Sequence, residues 1–208
     1  MKIIVINGSP RKGWNTDILL HKFMAGAEGA GAETELINLY DLDFKGCRSC
    51  LVCKIKGGKS LGHCAIQDGL QPVLEKIDKC DGLVIGSPIY FGDITAQVRA
   101  LLERLFFQYT NFDGGKPFFT GKLKTACIYT MNAPEGYFDT LYKKYEDMMK
   151  WYFEYVGMVV ATETQQVQDY SKYHLGMFDA KQRYERREKA FPQDCQKAYE
   201  LGEKMARG

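Results

Sequence analysis

The chain has 208 residues, 45% hydrophobic and 26% charged, a balance that fits a globular fold and argues against disorder. Its formal net charge of +2 gives no basic footprint for nucleic acid, and no apolar run approaches the roughly 20 residues a membrane crossing needs. The opening "MKIIVINGSP" lacks the long apolar stretch and small-residue cleavage site of a signal peptide, so a cytoplasmic protein is expected. Seven cysteines, an odd number in a reducing compartment, argue against a disulfide framework and for metal or redox use.

The first element, "KIIVIN" (Lys2 to Asn7), is short, β-branched and apolar on both faces, which is how a strand buried in a parallel sheet reads. A helical pattern follows through Ile18, Leu19, Lys22, Phe23 and Ala27, and then a second strand, "ETELINL" (Glu33 to Leu39). Asp68 and Gln71 in "DGLQP" predict a capping box before a helix carrying Val73, Leu74 and Ile77, with Pro72 in its first turn. "GLVIGS" (Gly82 to Ser87) is the third strand, and "ITAQVRALLERLF" puts Ile94, Val98, Leu101, Leu102 and Leu105 on one helical stripe. "LKTACIYT" (Leu123 to Thr130) reads as the fourth strand. Leu141, Tyr142, Tyr145, Met148, Met149, Tyr152 and Phe153 form a broad helical face suited to the core or a subunit contact. "GMVVATE" (Gly157 to Glu163) is the fifth strand. The mixed-sign run "KQRYERREK" reads as a solvated helix face, and the helical tail is expected to break at Pro192.

Alternation of this kind predicts an α/β fold, a parallel sheet with helices on both faces, because right-handed crossovers lay helices over the sheet. One domain spans residues 1–208, with an excursion at about 45–66 and a helical tail at about 179–206. Ligands of such sheets bind at the carboxyl ends of the strands, so the loops there carry the chemistry. "NGSPRKGWNTD" matches neither the nucleoside-triphosphate loop nor the dinucleotide fingerprint. It offers hydroxyls, Arg11 and Lys12, a flexible Gly13, and Asn15 and Thr16 at a helix start. Such a loop wraps a phosphate, with free amides and the hydroxyls of Ser9 and Thr16 as donors; a capped turn without a ligand is the alternative. "GSPIYFGDI" places Tyr90 and Phe91 between a proline and a glycine in a surface loop, where they suit a flat ring. "YTMNAPEGYF" ends the fourth strand with small and polar residues whose backbone can meet the polar edge of that ring.

Residues 1 to about 165 resemble the flavodoxin-like NAD(P)H-dependent FMN reductase superfamily, through "GSPRKGWNT" and, more specifically, "SPIYFGDITAQVRALLER"; the tail "CQKAYELGEKMA" resembles its closing helix. The resemblance implies a five-stranded flavodoxin-like sheet, FMN near a subunit boundary, and homodimers or homotetramers. Carried over, it implies that Ser9, Arg11, Asn15 and Thr16 hold the phosphate and that Pro88, Ile89, Tyr90, Phe91 and Gly92 flank the isoalloxazine. Thr130, Met131 and Asn132 then line its other side.

Within the superfamily, "CRSCLVC" followed by "GHCAIQDG" is similar to the iron-sulfur flavoproteins, although the last gap, ten residues before Cys64, is longer than is typical there. Cys47, Cys50 and Cys53 on a helical turn drift by only about 60° per step and so share a face. Gly57, Gly58 and Gly62 let the chain fold back to deliver Cys64. Four thiolates suit a [4Fe-4S] cluster or zinc by ligand type, and free thiols or a regulatory disulfide are the other readings. The two-residue gaps favour iron-sulfur. His63 is a candidate substitute ligand, and Arg48, Lys54, Lys56 and Lys59 would stabilise thiolates in any of these states. Cys80, Cys127 and Cys195 read as ordinary structural residues.

The expected function is an FMN-dependent oxidoreductase that takes electrons from NAD(P)H and passes them to a quinone, a flavin, a metal ion or a small electrophile. The alternatives are an electron-transfer carrier with FMN, a [4Fe-4S] cluster and a redox protein partner, or a thiol or zinc binding module. No histidine or carboxylate pair offers a catalytic dyad, so no side chain is assigned as catalytic.

Overall fold

The computed structural model describes residues 1–208. Five strands, β1 (Lys2–Asn7), β2 (Glu33–Asn38), β3 (Gly82–Tyr90), β5 (Lys124–Thr130) and β6 (Glu154–Ala161), form a parallel sheet in the order β2-β1-β3-β5-β6. The chain leaves β1 toward β2 and then crosses back to β3. The strand order therefore reverses between β1 and β3, where Asn7 pairs with both Asn38 and Gly86. That switch point opens a crevice at the carboxyl ends of the strands.

Strand alternation divides the core. Ile4, Ile6, Leu83, Ile85, Cys127 and Tyr129 meet α2 (Gln71–Ile77), α3 (Ala96–Tyr109) and α4 (Asp139–Tyr152) on one face. Ile3, Val5, Val84, Ala126 and Ile128 meet α1 (Asn15–Gly29) and α6 (Phe191–Arg207) on the other. This is the flavodoxin-like three-layer arrangement, and each fully buried Ile or Leu contributes about 1.5–3 kcal/mol to it. The stripe on α4 is largely core: Leu141, Tyr142, Tyr145 and Met149 are buried, as is Phe153 just past its end, while Met148 and Tyr152 pack half-buried against them. α1 and α6 cross at backbone distance. A Cβ on Gly26 would stand 2.0 Å from the Tyr199 carbonyl oxygen, and one on Gly202 would stand 2.1 Å from that of Phe23.

Several elements differ from the sequence expectation. β3 runs on to Tyr90 and turns back as a short antiparallel β4 (Asp93–Ile94). Phe91 and Gly92 at the tip have φ of 51° and 83°, the left-handed pair a two-residue hairpin demands. β6 begins at Glu154, before the expected Gly157, because a bulge carries the strand past Val156: Tyr155 pairs with Thr125 and Gly157 with Ala126. The capping box does not form. Asp68 accepts from the Leu70 amide at 3.1 Å but turns its other oxygen to Arg104, and Gln71 bonds Glu75 instead of reaching back.

The charged run forms α5 (Ala180–Lys189), and it is not simply solvated. Arg183 is buried against Glu163, Arg186 pairs with Asp194, and Arg187 donates to Asn15, because carboxylates and an amide distant in sequence meet this face. The helix breaks at Ala190, and Pro192 sits in the first turn of α6. No helix is long and apolar enough to cross a membrane.

Candidate functional site

The loop after β1 is tied down by its own side chains. Asn7 accepts the Ser9 amide at 2.9 Å and donates to Asp17 at 2.8 Å and to Asn38 at 3.0 Å. Asp17 also accepts the Gly13 amide at 2.7 Å, and Ser9 Oγ accepts that of Arg11 at 3.1 Å. No side chain caps α1, so its first-turn amides remain available at the positive end of the helix dipole. Thr16 Oγ1 lies 2.7 Å from Thr130 Oγ1, which joins the start of α1 to the end of β5.

These groups face one cleft lined by Ser9, Arg11, Trp14, Asn15, Thr16, Pro88, Ile89, Tyr90, Thr130, Met131, Asn132, Thr164 and Gln166. Every residue expected to touch FMN is here except Phe91 and Gly92, which stand at the hairpin tip; the Phe91 ring is fully exposed. Arg11 and Asn15 also serve as braces. The Arg11 guanidinium stacks 3.7 Å from the Trp14 ring and donates to the Gln166 carbonyl at 2.6 Å. Asn15 donates to the Gln165 carbonyl and accepts from Arg187, both at 2.8 Å. Trp14, Thr164 and Gln166 were not singled out in the sequence; the signal available for the last two was that "TETQQ" follows the fifth strand's carboxyl end. Both side-chain amide atoms of Asn132, and Oε1 of Gln166, are buried without a hydrogen-bond partner. Buried polar atoms in a native site are normally satisfied, so these atoms have hydrogen-bonding capacity left to offer in the cleft.

The sequence matches the NADPH-dependent FMN reductase family over residues 1–165. The chain belongs to that family. An iron-sulfur flavoprotein of Methanocaldococcus jannaschii is 38% identical over 120 residues, 55% of this chain and 60% of that protein. The chain spans about half the length of the curated relatives it matches. Among solved structures, an NAD(P)H:quinone oxidoreductase from Methanothermobacter marburgensis superposes with a TM-score of 0.67 at 14% identity, covering 97% of this chain and 94% of that one. A flavodoxin from the domain Archaea gives a TM-score of 0.53 at 13% identity, covering 100% and 97%. At such identities the two structures speak for the flavodoxin-like fold.

A second feature sits on the same FMN reductase scaffold. Cys47, Cys50, Cys53 and Cys64 line one small cavity with Leu51, Ala65, Ile66, Arg104, Phe107 and Gln108. The expected helical turn is absent. Ser49 and Leu51, on either side of Cys50, take left-handed φ of 54° and 59°, and only Val52–Lys54 forms a short 3-10 turn. Long-range anchors decide this shape. Lys54 Nζ donates to the carbonyls of Phe107, Gln108 and Thr110 at the end of α3, where a cation is favoured, and burial lowers its pKa. The Cys64 amide donates to Gln108 Oε1 at 2.9 Å, and Gly62 closes the loop on the Cys53 carbonyl at 3.0 Å.

All four thiols are free, and no group of three or more His, Cys, Asp or Glu stands ready to hold a metal ion. His63, the candidate substitute ligand, faces Asp78 at 3.0 Å and does not line the cavity. The Val52 amide and Arg48 hold the Cys50 thiol below its usual pKa, whereas burial pushes Cys53 up. By donor type the walls suit an iron-sulfur cluster, since four cysteines and no carboxylate line the cavity, although the thiols would have to draw together to hold one.

Proposed function

We propose that the chain is an FMN-dependent oxidoreductase that takes electrons from NAD(P)H and passes them to a small-molecule acceptor such as a quinone, a flavin, a metal ion or an electrophile. The observation that carries it is the Asn132 amide, buried and unpartnered in a cleft between a phosphate-type loop and an aromatic hairpin. Its donor and acceptor complement the carbonyl and N–H edge of an isoalloxazine. The α1 amides with Ser9 and Thr16 would hold the phosphate, Ile89 and Tyr90 would wall the ring, and Thr130 to Asn132 would meet its polar edge. Bound FMN supplies hydride acceptance at N5 and release of electrons singly or in pairs. The protein's part is to orient the ring and to keep one side open for the donor.

The four cysteines lining one cavity favour a second reading, in which a [4Fe-4S] cluster on Cys47, Cys50, Cys53 and Cys64 links the flavin to a redox protein partner. A homodimer or homotetramer in the cytoplasm is the assembly proposed. Anaerobic purification followed by an absorbance spectrum, iron and sulfide analysis, and an NAD(P)H oxidation assay separates the readings. Flavin with fast turnover supports the reductase; flavin and iron with little NAD(P)H oxidation support the carrier. Protein without flavin, and without tight FMN binding on reconstitution, refutes both.

A further inference from the structure

Arg104 and Gln108 lie one turn apart on α3, and both side chains are buried. Arg104 is 1% exposed, yet its hydrogen bonds come only from its terminal nitrogens: one donates to Asp68 at 2.6 Å and to the Lys45 carbonyl at 3.3 Å, the other to the Ile66 carbonyl at 3.2 Å. Gln108, also 1% exposed, accepts the Cys64 amide with Oε1. Arg104 Nε and Gln108 Nε2 are left without acceptors. Both residues line the cavity of the four cysteines, where sulfur is the acceptor that the side chains supply. The two residues thus grip the loop on both sides of the thiols with some donors and leave one donor each unused.

We propose that Arg104 Nε and Gln108 Nε2 donate N–H···S hydrogen bonds to an iron-sulfur cluster carried by Cys47, Cys50, Cys53 and Cys64, and so position it and favour its reduced state. This rests on the cluster proposed above. Reduction adds negative charge to the sulfurs, so donors aimed at them stabilise the reduced form more than the oxidised one. Both act through the cluster as positioning residues.

The experiment uses the anaerobically reconstituted full chain and its Gln108→Met and Arg104→Lys variants. Methionine keeps the length and helix preference of Gln108, and lysine keeps a cation for Asp68. Iron and sulfide are counted first. Pulsed EPR of the reduced cluster in H2O and D2O then reads exchangeable protons coupled to it, and a redox titration reads its potential. The native chain is expected to show exchangeable couplings that each variant loses in part. Each variant is expected to lose about tenfold in the reduction equilibrium, a potential about 59 mV more negative for a one-electron couple. Iron-loaded variants with native couplings and native potential overturn the inference and leave the cluster standing. Absence of iron in the native chain overturns the cluster and the inference with it.

Discussion

Replacing Thr16 by valine separates a phosphate cradle from a merely well-tied turn. Thr16 and Thr130 are both buried, with hydroxyl oxygens 2.7 Å apart. One hydroxyl must donate to the other, which leaves the pair one free proton to offer an anion in the cleft. A hydrogen bond to a charged group contributes about 1.5–3 kcal/mol. In the Thr16→Val protein the Thr130 proton is released and replaces part of that, so the expected loss is about 1.4–2 kcal/mol, or roughly 10- to 30-fold in FMN affinity. Riboflavin has the same ring and no phosphate, and its affinity is expected to change less than about twofold. Flavin-fluorescence titrations of both ligands against both proteins measure this, with a thermal melt of the flavin-free variant to show that it folds. Equal losses for FMN and riboflavin, or unchanged FMN affinity, would refute the assignment of this loop to the phosphate.

Gly202→Ala should weaken the α1–α6 crossing, because its new methyl meets the Phe23 carbonyl at 2.1 Å and backbone yields poorly. A loss of about 1–3 kcal/mol in a urea melt is expected, whereas Gly176→Ala, with nothing within 4 Å, should stay within about 0.5 kcal/mol of native. Burial raises the pKa of Cys127 from 9.0 to about 11, so the thiol's contribution is fully present below pH 9 and lost as pH rises to about 11. The native chain should therefore lose on the order of 3 kcal/mol more than Cys127→Ala over that window, read from denaturant midpoints; parallel slopes would count against it. Phe91→Gly relieves a left-handed φ costing an L-residue about 1–2 kcal/mol, while glycine's looser unfolded chain returns up to about 1. Stability should hold or rise by up to about 1 kcal/mol as flavin affinity falls; lost stability would show that the ring is a packing element.

The sheet was legible because strands buried on both faces are apolar throughout and end at glycine, serine or proline, as "KIIVIN-GSP" and "GLVIGS" do. The cleft was legible for the same reason, since parallel topology alone sends the loops after β1, β3 and β5 to one end. What escaped depends on partners remote in sequence. Spacing placed the cysteines on a helical turn, but their loop is shaped by Lys54 on the carbonyls closing α3 and by Arg104 and Gln108 on its backbone. The run in α5 read as solvated because Glu163 and Asp194, which bury two of its arginines, lie outside the window that charge patterning inspects.

Cleft and cysteine cavity are joined by one rigid element. β3 delivers Ile89 and Tyr90 to the cleft, and Thr95, at the threshold of α3, donates to the Gly8 carbonyl of the phosphate-type loop at 2.8 Å. Nine residues later, about 14 Å along the helix axis, Arg104 reaches the cysteine loop, and Gln108 does so one turn further on. A loop carrying left-handed Ser49 and Leu51 cannot fix such a spacing by itself, because strained residues persist only where their surroundings hold them. The helix does fix it: its buried side, with Val98, Leu101 and Leu105, is locked into the core that supports β3. Disturbing the anchors at its carboxyl end should therefore loosen the cysteine loop while leaving the cleft intact, whereas disturbing the seat of α3 on the sheet should disturb both together.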